Sequence, residues 1–433
     1  MHVSSRRGFT LIELLVVIAI IAILAVVVIL TLNPIELLRQ SRDSNRLSDM
    51  STLTSAINLY NTDQGGASGY SLGAANTVYV SLPDPTATST AGDQCQGLGL
   101  VALPATYTYH CAASSTYRNV NGTGWIPVNL SAISSASPLG SLPVDPTNNS
   151  SSRLYYTYDT NGTQFETTAV MESQKYAVGG SNDVISADGG PLASVYEKGS
   201  KLGLEPLDYG DSTLVGYWPM DEGSGSIAYD YSGNNTSLTF YKGPGGSYPI
   251  WQSGKVFGAL QFVGSSYPNN DGLMANYYPW MNTITNASWL FWYYPQNITQ
   301  SSWILDRYFG SGDGVQWGIE QAGSNIQVIT SSNGTPASQQ TLTGTSNSLV
   351  ANQWNYIVVV LNSGTGFTIY VNGAKTDSLA YAQPLYNSGT TVGICVAVDC
   401  GSNGGLLSSI DDARIYNRAL SAAQIAAMYA GGK

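Results

Sequence analysis

The sequence predicts an α+β domain, built on a long N-terminal helix and a small antiparallel sheet, followed by an all-β sandwich. Three observations support this organisation. The chain opens with an apolar run that continues as an amphipathic stretch, and short β-like runs separated by Pro, Gly, Asn and Asp follow. Beyond Leu214 many short alternating strands appear, and eight of the nine tryptophans lie there. A chain of 433 residues is long enough for two or three domains.

The first element is an apolar segment at residues 9–32, in which every residue except Glu13 is apolar or a threonine. As a helix it would be roughly 36 Å long, which is enough to cross a bilayer. The run is too long for the apolar part of a cleaved secretory signal. Arg6 and Arg7, which precede it, favour a cytoplasmic N-terminus. We therefore predict that residues 9–32 insert into a membrane or into the core of a filament.

The helix is predicted to continue to residue 62, with an interruption at Asn33–Pro34. Apolar residues recur there at three- and four-residue steps, which is typical of an amphipathic helix with one face against a globular head. The residues of this face are Leu37, Leu38, Leu47, Met50, Leu53, Thr54, Ile57 and Tyr60.

Residues 63–180 are predicted to form that head. Two alternating runs on either side of Asp159-Thr160-Asn161-Gly162 predict a β-hairpin. The stretch GTGWIPVNL is typical of another strand, and its Trp125 is predicted to lie in the core. Residues 181–211 are rich in Gly and Asp and have little periodicity, so we predict a linker that partly packs on the head.

Glu13 needs an explanation, because an unpaired carboxylate inside hydrocarbon costs a few kcal/mol. Cleavage of the chain after Gly8 would create a positive amino group on Phe9. A helix does not fold its own first residue back onto its fifth at good geometry, so the partner of the carboxylate would be the amine of a neighbouring subunit. We predict that this pair sets the axial register between packed helices.

The stretch Gly8-Phe9-Thr10-Leu11-Ile12-Glu13, followed by LLVVIAIIAILA, strongly resembles the type IV pilins and the type II secretion pseudopilins. The resemblance implies a leader at residues 1–8, removed by prepilin peptidase after Gly8, and N-methylation of Phe9. It implies self-association into a filament, with a role in assembly for Glu13. It also implies a precursor in the inner (cytoplasmic) membrane and a mature subunit at the cell surface or in an extracellular filament. The strings LPVDPTNN, YYTYDTNGTQFE and MESQKY resemble the end of a pseudopilin head.

Residues 212–433 are predicted to form the sandwich, closed by one helix with Ser421 as its N-cap. Several stretches resemble the laminin G-like jelly roll of the concanavalin A-like superfamily. They are YWPMDEGSGSIAYDYSGNN, GKVFGALQFVG, SWLFWYYP, QWNYIVVVLNSGTGFTIYVNG and IDDARIYNRALSAAQIAAMYAGG. The resemblance implies two packed antiparallel sheets and binding to carbohydrates or proteins.

The four cysteines form two local couples, Cys95 with Cys111 and Cys395 with Cys400. An even count, close spacing and a membrane-targeted chain favour two disulfides in an oxidising compartment. Four buried free thiols are the alternative. A zinc site is disfavoured, because the chain has only two histidines.

Composition and motifs disfavour several classes of function. The net charge of −11, without clustered Lys and Arg, disfavours a nucleic-acid partner. The two glutamates of the sandwich, Glu222 and Glu320, lie in unrelated strands rather than in the paired arrangement of glycan hydrolases. Residues 212–433 contain no histidine for a Ser-His-Asp triad. We expect that the chain is not an enzyme.

Two sets of residues in the sandwich are candidates for binding. One offers hard oxygen donors that suit a structural Ca²⁺ ion, although the same side chains would also serve to cap turns. This set is Asp221, Glu222, Asp230, Asp411 and Asp412. The other is an aromatic cluster in a loop-like stretch, which either stacks on sugars or packs against the head. It consists of Tyr277, Tyr278 and Trp280. No cofactor other than calcium is expected.

The leading interpretation is a pilin-like subunit of a surface filament that displays a domain for adhesion or for recognition of glycans or proteins. The sequence leaves open whether it is a major, minor or tip subunit. A pseudopilin of a type II secretion machine, whose extra domain engages cargo, is the second interpretation. A surface glycan-degrading enzyme is the third, and the missing carboxylate pair argues against it.

Overall fold

The computed structural model describes most of the chain. The described residues are 10–86, 95, 97–104, 106–263, 271–276, 278–282, 284–299, 301–307, 316–386, 395–396 and 407–433. The predicted cleavage site at Gly8 and Phe9 lies outside them, as do Tyr277 and Cys400. The α-helices within them are α1 (Leu11–Leu32), α2 (Pro34–Gln64) and α3 (Ala422–Gly431).

The long N-terminal helix is interrupted at Asn33, as the sequence predicts. Asn33 adopts left-handed backbone angles, φ 37° and ψ 72°, and so separates α1 from α2. Its side-chain oxygen accepts the N–H of Glu36 at 3.4 Å. Pro34 occupies the first position of α2, where a missing N–H costs no hydrogen bond. The helix ends at Gln64, slightly beyond the predicted end at residue 62.

The head is built on one sheet. Its strands in the described part of the chain are β1 (Thr77–Asp84), β2 (Thr108–Ala113), β3 (Tyr156–Thr160), β4 (Phe165–Ala169) and β5 (Tyr196–Gly199). They lie in the order β2-β1-β3-β4-β5. The predicted hairpin is confirmed as β3 and β4, which pair antiparallel with Tyr156 opposite Ala169. The strands β1 and β2 run parallel, whereas the other pairs are antiparallel.

The C-terminal half of α2 packs on one face of this sheet. Four of its predicted core residues are at most 2% exposed and join a cluster with head tyrosines. They are Met50, Leu53, Ile57 and Tyr60. Burial of an apolar helix face against a sheet supplies most of the stability of such a helix.

Two other predictions about this region need correction. Leu37 and Leu38, predicted on the buried face, are 52% and 61% exposed because they lie in the first turns of α2, beyond the edge of the core. The stretch GTGWIPVNL forms irregular structure rather than a strand. Trp125 is nevertheless fully buried, as predicted, and its indole N–H donates to the Pro143 carbonyl at 3.0 Å.

The stretch 181–211, predicted as a linker, is part of the folded head. It contains β5, which lies at the edge of the head sheet. Five of its apolar residues are at most 2% exposed: Ile185, Leu192, Val195, Leu207 and Tyr209. Its irregular backbone is buried because carboxylates of the same stretch accept its N–H groups. Asp208, for example, accepts the N–H groups of Ala193 and Ser194 at 2.9 Å each.

The C-terminal region is a sandwich of two sheets. Its strands, among the described residues, are β6 (Leu214–Trp218), β7 (Ile227–Ala228), β8 (Leu238–Lys242), β9 (Ile250–Ser253), β10 (Gly258–Phe262), β11 (Asp271–Met274), β12 (Ala287–Pro295), β13 (Ser301–Arg307), β14 (Trp317–Ala322), β15 (Asn325–Ser331), β16 (Gln339–Thr343), β17 (Asn355–Asn362), β18 (Gly366–Val371), β19 (Ala374–Ala380), β20 (Cys395–Val396) and β21 (Ser408–Tyr416). The predicted all-β sandwich is confirmed.

The two sheets of the sandwich are antiparallel. The first has the order β19-β18-β17-β12-β21-β10-β9, with β6 also paired to β21. The second has the order β16-β15-β14-β13-β20-β11-β8-β7. After β21 the chain enters α3, whose N-cap is Ser421 as predicted, with a capping box to Gln424.

The head sheet lies between α2 and the sandwich. Side chains of β12 alternate, so that Trp289 and Phe291 point between the two sandwich sheets, whereas Leu290 and Trp292 belong to a second cluster. That second cluster includes Val78 of β1, so the head and the sandwich share a hydrophobic core. The layers therefore follow one another as α2, the head sheet, the first sandwich sheet and the second sandwich sheet.

Candidate functional site

The start of α1 carries Glu13, the acid that the sequence assigns to assembly. Thr10 is the N-cap of this helix, and the N–H of Glu13 donates to its Oγ1 at 3.2 Å. In return, the N–H and the hydroxyl of Thr10 donate to Glu13 Oε2 at 2.8 Å each. This capping box gives the carboxylate a partner inside its own subunit, which the pattern Thr-x-x-Glu would have indicated. Both bonds from Thr10 use Oε2.

The described side chains of α1 form an exposed apolar surface. Leu11, Ile12 and Leu24 are 79%, 75% and 57% exposed, and Ile35 at the start of α2 is 63% exposed. An apolar surface of this extent marks a site of contact with lipid or with another protein. Among the residues that the structure describes, no helix reaches the length and hydropathy of a membrane span.

A buried ion network holds α2 on the head. The side chain of Arg46 is fully buried and contacts three carboxylates. Its Nε and Nη2 donate to Asp145 at 2.6 and 2.9 Å. Its Nη1 donates to Asp43 and to Glu172 at 2.7 Å each. Bidentate, charge-assisted contacts of this kind compensate the loss of water around a buried guanidinium.

Glu172 connects this network to the protein surface. Arg42 donates to both of its oxygens, at 2.7 and 2.8 Å. Burial alone would raise the pKa of Glu172, but hydrogen bonds from Arg42 and Arg46 outweigh it, so the pKa lies below its ordinary value. Asp43 accepts the N–H groups of Glu172 and Ser173 at 3.0 and 2.8 Å. The network therefore fixes the N-terminal half of α2 to the chain that follows β4.

Charged side chains also join the sandwich to the head. Arg414 of β21 is fully buried and donates to the Pro191 carbonyl at 2.7 Å. Its guanidinium carbon lies 4.1 Å from the centroid of the Tyr217 ring. Arg418 donates to Asp211 at 2.7 Å. Together with the shared core, these contacts hold the sandwich in one orientation on the head.

Three of the predicted calcium ligands serve as caps and partners within the protein. Asp230 accepts three backbone N–H groups at 2.8 to 3.1 Å. Asp411 accepts the N–H groups of Lys255 and Val256 at 2.7 and 2.8 Å. Asp412 accepts the Tyr217 hydroxyl at 2.8 Å and pairs with Arg414 at 3.2 Å.

The other two predicted calcium ligands, Asp221 and Glu222, accept the N–H groups of Gly258 and Tyr229 at 2.6 and 2.7 Å. Burial raises the pKa of Asp221 to about 8 and that of Glu222 to about 7. In the part of the chain that the structure describes, no three acidic, histidine or cysteine side chains are grouped so as to hold a metal ion. Calcium binding at these residues stays a prediction.

The predicted aromatic cluster is partly packed on the sandwich core. Tyr278 and Trp280 are half-buried against it, while Tyr277 lies outside the described residues. The indole N–H of Trp280 donates to Thr236 Oγ1 at 3.1 Å. Trp251 has a similar environment elsewhere in the sandwich, because it is half-buried against the same core. Its indole N–H donates to the Gly225 carbonyl at 3.0 Å.

One of the predicted cysteine couples is a disulfide. Cys95 and Cys111 are bonded, and both are buried in the core that the head and the sandwich share. The bond ties the middle of the connection between β1 and β2 to β2. Cys395 lies in β20, and its predicted partner Cys400 is outside the described residues.

Family models match two parts of the chain. The prokaryotic N-terminal methylation motif matches residues 3–29, and the concanavalin A-like lectin/glucanases superfamily, as a laminin G model, matches residues 268–426. The chain joins a pilin-type N-terminal segment to a concanavalin A-like domain. The pilin-type segment includes Gly8, Phe9 and Glu13. The first strand of the sandwich begins at Leu214, ahead of the residues that the concanavalin A-like model matches.

Solved structures give more distant likenesses. The binding domain of botulinum neurotoxin DC in complex with rat synaptotagmin II is 15% identical, with a TM-score of 0.40, over 51% of this chain and 52% of that one. The binding domain of Paraclostridial mosquitocidal protein 1 is 17% identical, with a TM-score of 0.38, over 50% and 52%. The chain therefore spans about half the length of these structures. Among curated proteins, none matches the chain in sequence.

Proposed function

We propose that the protein is a structural subunit of a type IV pilus or a related surface filament, and that its concanavalin A-like domain serves in adhesion or in recognition of glycans or proteins. The observation that carries the proposal is the exposed apolar helix α1, which bears the methylation motif and the capped acid Glu13. A non-enzymatic role is part of the proposal.

The apolar surface of α1 must be shielded from water both before and after assembly. Before assembly, lipid would cover it, with the precursor held in the inner membrane for cleavage by prepilin peptidase after Gly8. After assembly, the same helices of neighbouring subunits would cover it, which removes apolar area from water without any change in α1 itself. The ion network around Arg46 supports this role, because it fixes the helical segment next to α1 on the head.

The order of layers supports display of the concanavalin A-like domain. The sandwich covers the face of the head sheet opposite to α2. If the helices form the filament core, the sandwich lies on the outside without any flexible linker. Each subunit would then present this domain in a fixed orientation, which suits repeated, multivalent contact with a surface.

Electron microscopy of cells that express the chain, with a gold-labelled antibody against the sandwich, tests the proposal. We expect label along surface filaments, or at filament tips if the subunit is a minor one. Label confined to short periplasmic structures would contradict it and favour a secretion pseudopilin whose extra domain engages cargo. Mass spectrometry of the first peptide should begin at a methylated Phe9, and an intact Met1 would contradict the pilin assignment.

Recognition is tested separately, with purified filaments on glycan and protein arrays. If the aromatic cluster binds the ligand, Trp280→Ala is expected to weaken binding about tenfold or more, as loss of a central aromatic contact does. Trp251→Ala is the matched control, because it removes an indole of similar burial from the same core. Equal losses in both variants would mean that binding lies elsewhere and that each substitution merely perturbs the fold.

A further inference from the structure

Lys433, just beyond α3, buries its whole side chain in the head. Its Nζ donates to the carbonyls of Ile185 and Leu192 at 2.6 Å each, and to Asp188 Oδ1 at 2.8 Å. The Oε2 atom of Glu197 lies 3.7 Å from the same nitrogen. An amine, a carboxylate and a second carboxyl group therefore meet, each with a side chain at most 1% exposed.

The end of α3 holds the lysine in this position. Gly432 adopts a left-handed conformation, φ 80°, and the N–H of Lys433 donates to the Met428 carbonyl at 2.9 Å. Gly431 lies so close to the head that a Cβ at this position would come within 2.3 Å of the Ser186 carbonyl oxygen. The side chain of Lys433 is thus directed into the head by a close backbone contact.

The carboxylate of Asp188 is held equally firmly. Its Oδ1 also accepts the N–H of Gly190, and its Oδ2 accepts the N–H of Glu197, each at 2.9 Å. Only 1% of its side chain is exposed. With both oxygens oriented by backbone donors, the distance of 2.8 Å from Nζ to Oδ1 places the amine within reach of the carboxyl carbon.

Glu197 supplies an acid at the same site. Its side chain and that of Glu166 are both buried. Burial is the main cause that raises the pKa of Glu197 well above its ordinary value. The negative charge of Glu166 raises it further. Its Oε2 accepts the N–H of Leu192 at 2.7 Å, which keeps the group directed at Lys433.

We propose that Lys433 and Asp188 form an intramolecular amide bond, with Glu197 transferring protons during its formation. The ammonium first gives a proton to the Asp188 carboxylate, which leaves a neutral amine beside a neutral carboxyl group. The nitrogen then attacks Cγ, and a new N–C bond forms. Glu197 gives its proton to the departing hydroxyl and receives one from the nitrogen. The C–O bond breaks, one water leaves, and no oxidant or cofactor is consumed.

Such a bond would join the sandwich to the head covalently. It would link the chain beyond α3 to a residue 245 positions earlier, as a second covalent connection besides the continuous chain between β5 and β6. A subunit under tension in a filament, or exposed to proteases, would gain from this link. The inference stands apart from the proposed filament role, since the bond forms within one chain.

Mass spectrometry of the full-length protein tests the proposal. We expect the protein to be lighter than its unlinked chain by the mass of one water, and trypsin to release a branched peptide that joins residues 176–198 to residues 419–433. Recovery of these two peptides separately, at full mass, would overturn it and leave a simple buried ion pair.

Three variants and one control sharpen the result. Lys433→Arg keeps the charge and Asp188→Ala removes the acceptor, so both should show the full mass. Glu197→Gln should slow bond formation at least tenfold, so that the unlinked form accumulates. Lys198→Arg, a neighbouring lysine that does not enter the site, should retain the mass loss. Circular dichroism establishes that each variant folds, and a water loss that persists in Lys433→Arg would also contradict the proposal.

Discussion

Glu13→Gln is expected to give a subunit that is inserted and processed normally but yields few or no filaments. Glutamine at this position still completes a capping box with Thr10, so α1 should begin at the same residue. The variant loses only the negative charge. In the proposed assembly that charge meets the amino group of Phe9 in a neighbouring subunit, and a buried amine left unpaired costs about 3–5 kcal/mol at each contact.

The capping box provides a matched control. Thr10→Ala removes the N-cap, which costs about 1 kcal/mol of helix stability, but it keeps the charge of Glu13 and frees its Oε2. We therefore expect near-normal filaments from Thr10→Ala. Filaments sheared from cells, measured against total processed subunit, give the comparison. Normal assembly of Glu13→Gln would show that the pairing account is wrong. Failure of Thr10→Ala together with normal assembly of Glu13→Gln would mean that Glu13 acts by capping the helix.

Periodicity in the sequence predicted most of the fold, because apolar residues recur at regular steps in each element that has one buried face. The face of α2 from Met50 to Tyr60 and the hairpin of β3 and β4 were both recognisable in this way. The strand β12 carried a further signal. Its run SWLFWYYP is apolar on both faces, and the structure explains this, since Trp289 faces the sandwich core and Trp292 faces the head.

The stretch 181–211 was misassigned for a physical reason. Gly and Asp are typical of exposed turns, so their abundance predicted a linker. In the structure, Asp188 and Asp208 accept backbone N–H groups and thereby allow irregular chain to be buried. Acids that satisfy a buried backbone have the same sequence pattern as acids that face water, so only the structure distinguishes them.

The buried charges at Arg46 and Lys433 were missed for a related reason. Arg46 lies on the same face of α2 as Met50, but its partners Asp145 and Glu172 are 99 and 126 positions away in the chain. Local spacing carries no information about such pairs. The sequence offers one signal of such a pair, which is a charged residue on the otherwise apolar face of a helix. It indicates a buried ion pair only when a partner can be identified.

Arg46→Met is expected to lower the free energy of unfolding by about 3–5 kcal/mol. Methionine approximately fills the space of the arginine stem, so the main effect is electrostatic. The carboxylates of Asp43 and Asp145 would remain buried without their cation, and Glu172 beside them would keep only Arg42. Arg42→Met, four positions earlier on the same helix, is the control. Its side chain is 33% exposed and, among the described residues, forms a salt bridge only with Glu172, so we expect a loss of about 1 kcal/mol or less.

The pH dependence separates charge from packing in this experiment. In the wild type the pKa of Glu172 is lowered, so its contribution is present above its unfolded pKa and is lost as the pH falls through the folded value. In Arg46→Met the carboxylates of Asp43 and Asp145 lack their cation, and protonation should relieve the repulsion among the three acids. The difference in unfolding free energy between the two proteins should therefore shrink from about pH 7 to about pH 4. Urea unfolding of the full chain in detergent measures it, and a difference that stays constant would mean that Arg46 acts through packing alone.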